Sequence, residues 1–166
     1  MGALDDPARL AALERLDLVE GKPYAGFDRY TAEAAKQLDA PIALVSLVDS
    51  RRQYFPSRHA SAEPFTSLEE TPLSYSFCKH AVERKAPLVI NNAPEEPLVQ
   101  DNPAIAEFDV IAYAGAPIIT SDDQALGTLC VMDHRPREWT ADQVELLTDL
   151  AAAVATEIEL RAQMRR

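Results

Sequence analysis

The chain has 166 residues, of which 47% are hydrophobic and 26% charged, with a net charge of −11. That length suits one domain with a sizeable core, and the composition is that of a globular protein rather than a disordered one. The acidic balance argues against a phosphate backbone or an anionic membrane surface as partner, because both need clustered Lys and Arg.

Two cysteines do not make a disulfide framework. The opening MGALDDPARL lacks the basic-then-apolar order of a signal peptide. No run approaches the length of a spanning helix. The expectation is a cytoplasmic protein that binds neither nucleic acid nor membrane.

Taken in chain order, the segment from Asp6 to Gly21 reads as a helix. Asp6 is its cap, Pro7 holds the first helical position, and Leu10, Leu13 and Leu16 recur at helical spacing. Phe27, Tyr30, Ala34 and Leu38 mark a second amphipathic helix, closed by Pro41. PIALVSLVDS predicts a strand buried on both faces. RRQYFPSRH predicts a second strand across a hairpin-sized turn, and Pro56 places it at an edge or a bulge because proline cannot donate to a ladder. Residues 60–72 read as polar and irregular.

SYSFCKHAVERK predicts a short helix with Phe77, Ala81 and Val82 on its apolar side. APLVINNAP predicts a third strand. The connection EEPLVQDNPAIAEFD carries two prolines, so any helix in it is short. Long connections of this kind tend to carry function. VIAYAGAPIITSDDQALGTLCVMD predicts an antiparallel hairpin, with Gly115 and Gly127 where backbones approach closely.

The final segment has the clearest start, a capping box of Thr140 and Gln143 behind Trp139. One stripe (Val144, Leu147, Ala151, Val154, Ile158) can face the sheet. A second (Leu146, Leu150, Ala153, Leu160) can face a partner chain. The helix is expected to run to Arg166. Together these elements predict an α+β fold of five or six mainly antiparallel strands.

These stretches, in this order and over nearly the whole chain, closely resemble the GAF domains at the N-termini of bacterial sensor kinases, cyclic-dinucleotide cyclases and phosphatases. The matching motifs include FDRYTAEAAKQLDAPIALVSLVD, LSYSFCKHAV, PLVINNAPEEPLVQDNP, YAGAPI and LGTLCVMDHRPREWTADQVELL. Departures are PLVQDNP, which lacks the usual basic-aromatic pair, and Ile111–Ala112, which stand where the family usually has Arg-Phe. The resemblance implies a twisted antiparallel sheet with terminal helices on one face and a loop and short-helix pocket on the other. It also implies one GAF domain over residues 1–166. Residues 1–40 would be N-terminal helices, 42–133 the sheet with its inserted loops, and 140–166 a signalling and dimerisation helix.

The reactive residues divide between two readings. Cys78 and His80 are two apart on a helix, so their side chains diverge by about 200° and make a poor nucleophile pair. Cys78 reads as pocket wall or core, with redox sensing as the alternative, and Cys130 as a packed strand residue. Cys78, His80, Cys130 and His134 meet only if the helix lies over the last strand. Metal-ligand spacing is missing. His59 and His134 read as solvated.

The glycine-flanked cysteine of free methionine sulfoxide reductases is missing, and Lys79 separates the Cys–His pair that bilin attachment would need. For a non-covalent ligand of unknown identity the candidates are Tyr54, Ser76, Cys78, Asn92, Asp101, Asn102 and Tyr113. Against this, Asn and Asp near prolines also form ordinary turns, and Tyr113 also suits sheet packing. No cofactor is identifiable. The expectation is a non-enzymatic sensor, binding a small molecule or reporting redox state. As a homodimer it would relay that signal to a fused or separate kinase, cyclase or phosphatase domain. The alternatives are a thiol-dependent reductase and a ligand-free dimerisation module.

Overall fold

A computed structural model describes residues 2–164. Six antiparallel strands form one sheet in the order β3-β2-β1-β6-β5-β4. They are β1 (Ile42–Val48), β2 (Arg52–Ala60), β3 (Glu70–Pro72), β4 (Leu88–Ile90), β5 (Ala112–Ile119) and β6 (Ala125–Asp133). Five α-helices accompany them: α1 (Pro7–Arg15), α2 (Asp28–Gln37), α3 (Cys78–Arg84), α4 (Pro103–Phe108) and α5 (Ala141–Met164).

The sheet divides the core into two layers, and β1 shows why. Ala43, Val45 and Leu47 pack with α1, α2 and α5, while Ile42, Leu44 and Val48 pack with α3 and α4. Every residue of β1 is buried, as its nearly all-apolar run predicts. Side chains alternate across a strand, so one strand supplies both layers.

β3 corrects the sequence reading of residues 60–72 as irregular. Its three residues pair with Arg52, Gln53 and Tyr54, and a strand this short carries no alternation to detect. Pro56 sits as expected at a bulge, where the β1–β2 register shifts between Val45 and Leu47. The carbonyl of Pro56 accepts from Tyr24 N at 2.9 Å.

The first helix also ends earlier than expected, at Arg15 rather than near Gly21. Asp17 adopts φ 59°, and Leu18 N returns to the carbonyl of Leu13 at 2.9 Å, a Schellman closure. α2 ends the same way at Asp39, with φ 49° and Ala40 N bonded to Ala35 O.

Both ends are capped by arginines from far along the chain. Arg161 Nη2 donates to Leu16 O at 2.7 Å and to Asp17 O at 2.8 Å. Arg137 donates to Leu38 O at 2.6 Å and to Asp39 O at 2.9 Å. A cation at a helix C-terminus complements both the orphan carbonyls and the dipole.

Arg9 is buried and donates to the carbonyls of Val48 at 2.6 Å and Ala125 at 3.3 Å. It thereby ties α1 to the ends of β1 and β6. The predicted capping box closes α5. Gln143 N donates to Thr140 Oγ1 at 3.1 Å, and Thr140 N donates to Gln143 Oε1 at 2.9 Å.

Of the two stripes on α5, Leu147, Ala151, Val154 and Ile158 are buried. Leu146 and Leu150 are half-buried against the same core, whereas Leu160 is 49% exposed. The expected run to Arg166 passes beyond the described residues. Among those described, no helix is long and apolar enough to cross a membrane.

Candidate functional site

The face of the sheet away from α5 carries a pocket roofed by α3, α4 and the loops between them. Leu44, Gln53, Phe55, Cys78, Tyr113, Cys130 and Met132 line its inner side, and Phe65, Tyr75 and Phe108 its outer side. The outer aromatics close on one another, with Phe65 and Phe108 ring centroids 5.7 Å apart and Tyr75 and Phe108 5.3 Å apart. The free space is about 20 Å³, enough for about one water molecule. Larger hollows lie elsewhere, and the one of about 140 Å³ beside Tyr24 and Arg161 is lined mainly by turn residues. Among the described residues, this small pocket alone joins a thiol pair to buried hydroxyls.

Cys78 opens α3. Cys78, Ala81 and Val82 turn toward the sheet, so the helix lies across β6 and brings Cys78 Sγ to 4.0 Å from Cys130 Sγ. Tyr113 Oη donates to Cys78 Sγ at 3.1 Å, and Thr128 Oγ1 donates at 3.0 Å.

The placement of Tyr113 depends on a glycine. Gly115 lies across from Cys130 in the β5–β6 ladder, and a Cβ there would stand 2.1 Å from Tyr113 Oη. The missing side chain is what lets the phenol reach the sulfur. A second polar string begins at Ser46, whose Oγ donates to Gln53 Oε1 at 3.3 Å, and Gln53 Nε2 donates to Thr71 Oγ1 at 2.8 Å. Ser46, Gln53, Thr71 and Thr128 are all buried, so each hydroxyl and amide is held in one role.

These contacts set the ionisation of the thiols. Burial pushes the Cys78 thiol up, but hydrogen bonding with Cys130, Thr128, Tyr113 and Ser46 outweighs it and brings it down to about 7. Cys130 is held well above the ordinary thiol value, by its hydrogen bond to Cys78 and then by burial. Burial likewise raises the Tyr113 phenol, and the charge on Cys78 adds to it. The arrangement therefore favours a negative charge on Cys78 over one on Cys130 or Tyr113, with the Tyr113 and Thr128 hydroxyls donating to it.

The seven residues that the sequence offers as ligand contacts do not share one place. Cys78 and Tyr113 touch. Ser76 is buried just before α3, where its Oγ accepts from Lys79 N at 3.1 Å. Asn102 caps α4, its Oδ1 accepting from Ala104 N at 2.8 Å. Asn92 precedes a 3-10 turn, with its carbonyl accepting from Glu95 N. Asp101 is exposed. Tyr54 is buried on the opposite face, in the layer with α1, α2 and α5.

Tyr54 stands between Gln53 and Phe55, which do line the pocket. The period of two assigns those neighbours together, but without β3 the facing side was not fixed. Thr71, Thr128 and Phe65 had no motif to mark them.

Cys78, His80, Cys130 and His134 meet only in part. His80 is half-buried with Nδ1 3.8 Å from Glu83, and His134 Nδ1 lies 2.7 Å from the carbonyl of Asp109. Among the described residues no three His, Cys, Asp or Glu side chains gather as a metal site.

The GAF domain family model matches residues 25–158, and the chain belongs to that family. It is 33% identical over 156 residues to a cyclic di-GMP phosphodiesterase of Pseudomonas aeruginosa, spanning 93% of this chain and 26% of that protein. The chain thus spans about a quarter of the length of this curated relative.

Among solved structures it resembles the GAF domain of an Acinetobacter phosphoenolpyruvate-protein phosphotransferase. There the TM-score is 0.67 and the identity 14%, covering 96% of this chain and 98% of the other. It also resembles the free methionine-R-sulfoxide reductase of Neisseria meningitidis. That TM-score is 0.67 and the identity 15%, covering 86% of this chain and 80% of the other. At such identities the likeness is one of fold.

Proposed function

We propose that this GAF domain is a non-enzymatic sensory module of bacterial signal transduction, working in the cytoplasm. Its pocket beneath α3 and α4 takes the input, and its terminal helices carry the output. The observation behind this reading is the alternation along the central strands. On β6, Cys130 and Met132 face the pocket while Leu129 and Val131 face α5. A shift of Cys130 is therefore felt one residue away under the output helix.

Among the described residues no Asp, Glu, Lys, Arg or His lines the pocket, so the input is a small uncharged molecule or an oxidant. The carboxylate of an amino acid would find no cation there, which favours a sensor over a free methionine sulfoxide reductase. α5 is the signalling helix of a single domain, and it pairs with its copy in a homodimer through Leu146, Leu150, Ala153 and Leu160. Ser76, Asn92 and Asn102 act by fixing the loops that roof the pocket. The cyclic di-GMP phosphodiesterase relative suggests an output domain of cyclic-dinucleotide turnover.

Native mass spectrometry of fresh protein, compared with the denatured mass, tests the reading. A dimer carrying extra mass that is lost on denaturation supports it, and a monomer at tens of micromolar overturns the dimeric relay.

A further inference from the structure

We propose that Cys78 is a site of oxidation by hydrogen peroxide, with Cys130 as the partner that closes a disulfide. This rests on the sensory reading only in taking the pocket as the place where the input arrives.

Three observations support it. The two sulfurs lie 4.0 Å apart on separate elements, one at the start of α3 and one on β6. A bonded pair needs about 2.05 Å, so closure asks for a shift of α3 rather than a rearranged fold. Around Cys78, the Thr128 and Tyr113 hydroxyls both donate to sulfur. That is the cradle a thiolate needs, whereas a thiol serving only as packing needs apolar neighbours. Finally, the free space of about 20 Å³ is the size of about one water. Hydrogen peroxide is scarcely larger and equally uncharged, while glutathione disulfide or an aromatic disulfide has no room.

The chemistry balances in two steps. The Cys78 thiolate attacks one peroxide oxygen, an S–O bond forms, and the O–O bond breaks with its electron pair leaving as hydroxide. Hydroxide takes a proton to become water, and Cys78 becomes a sulfenic acid. Cys130 then gives up its thiol proton and attacks the Cys78 sulfur. The S–S bond forms, the S–O bond breaks, and the departing hydroxide leaves with that proton as a second water. Peroxide is reduced by two electrons and the two thiols are together oxidised by two. The disulfide removes the sulfur that Thr128 and Tyr113 donate to as a thiolate, and it draws the start of α3 onto β6.

The test is intact mass and peptide mapping of the native wild-type chain after hydrogen peroxide in modest excess, with hydrogen exchange of α5 read on the same samples. The expected result is a chain lighter by two hydrogens, with the Cys78 and Cys130 peptides joined. A bulky aromatic disulfide should leave the native protein unreacted. Cys130→Ala should stop at a sulfenic acid on Cys78, read as one oxygen added to the Cys78 peptide and captured by dimedone once the chain is unfolded in its presence. Thr128→Val should slow oxidation several-fold at neutral pH, because the sulfur loses a hydroxyl that donates to it at 3.0 Å.

Retention of both thiols by wild type, or oxygen gained only at methionines, overturns the proposal. A disulfide that leaves α5 exchange unchanged upholds the chemistry and overturns the relay to the output helix.

Discussion

Replacing Tyr113 with Phe deletes one oxygen and leaves the ring in place over Gly115, which makes the cost depend on pH in a calculable way. The lost hydroxyl donates to Cys78 Sγ at 3.1 Å. While Cys78 is a neutral thiol, this is an ordinary buried hydrogen bond, worth about 0.5–1.5 kcal/mol. Once Cys78 ionises, the same bond serves a charge and is worth about 1.5–3 kcal/mol.

The folded thiol sits at about 7, below the unfolded value of about 8.5. Its ionisation therefore contributes stability that is fully present above the unfolded value, and that stability is lost as pH falls through the folded one. The Tyr113→Phe penalty should accordingly grow by about 1 kcal/mol between about pH 6 and about pH 8.5. Urea unfolding of both proteins under reducing conditions, at those two pH values, measures it. A penalty equal at both would mean that Cys78 is not ionised in the native state, and Cys78→Ala should erase the difference.

Three other predictions concern the frame of the pocket. Gly127→Ala should cost more than Gly115→Ala, because its new Cβ would meet the backbone oxygen of Ser46 at 1.9 Å, whereas the neighbour at Gly115 is a side chain. Thermal melts should place both below wild type, with about 1–3 kcal/mol for Gly115→Ala. Arg9→Met should cost about 2–5 kcal/mol, since the buried carbonyls of Val48 and Ala125 lose their donor; a loss under about 0.5 kcal/mol in urea unfolding would refute that. Asp133 is pushed up by burial, but Arg137, Arg135 and the His134 N–H outweigh this and hold its carboxyl below the usual range. Its stabilisation should be present above the ordinary carboxyl value and lost as pH falls through the lower folded one. Asp133→Asn should flatten that acid limb in urea titrations.

What the sequence disclosed and what it hid follow from periodicity. β1, β5 and β6 are long and apolar enough to announce themselves, and Thr140 with Gln143 marks the start of α5 by chemistry alone. β3 has three residues and no such signal. Missing it also lost Thr71, and Tyr54 was offered as a ligand contact although it lies in the layer with α1, α2 and α5. Within the site, Cys78 and Tyr113 were legible as chemistry-bearing side chains, but their contact was not. That contact depends on how α3 lies across β6 and on the space over Gly115. The donors Thr128 and Ser46 look like any strand hydroxyl until the register places them opposite each other.

The arginine clamps have a consequence for a chain emerging from the ribosome. α1 and α2 are made first, yet the carbonyls at their ends find their donors 144 or 145 residues later for α1, and 98 or 99 later for α2. Arg9 waits 116 residues for Ala125. Contacts so distant in sequence are slow to form, because loop closure must precede them. The first forty residues should therefore stay only loosely helical until α5 has been synthesised, and a chain released before Arg161 should leave α1 as the first element open to proteases.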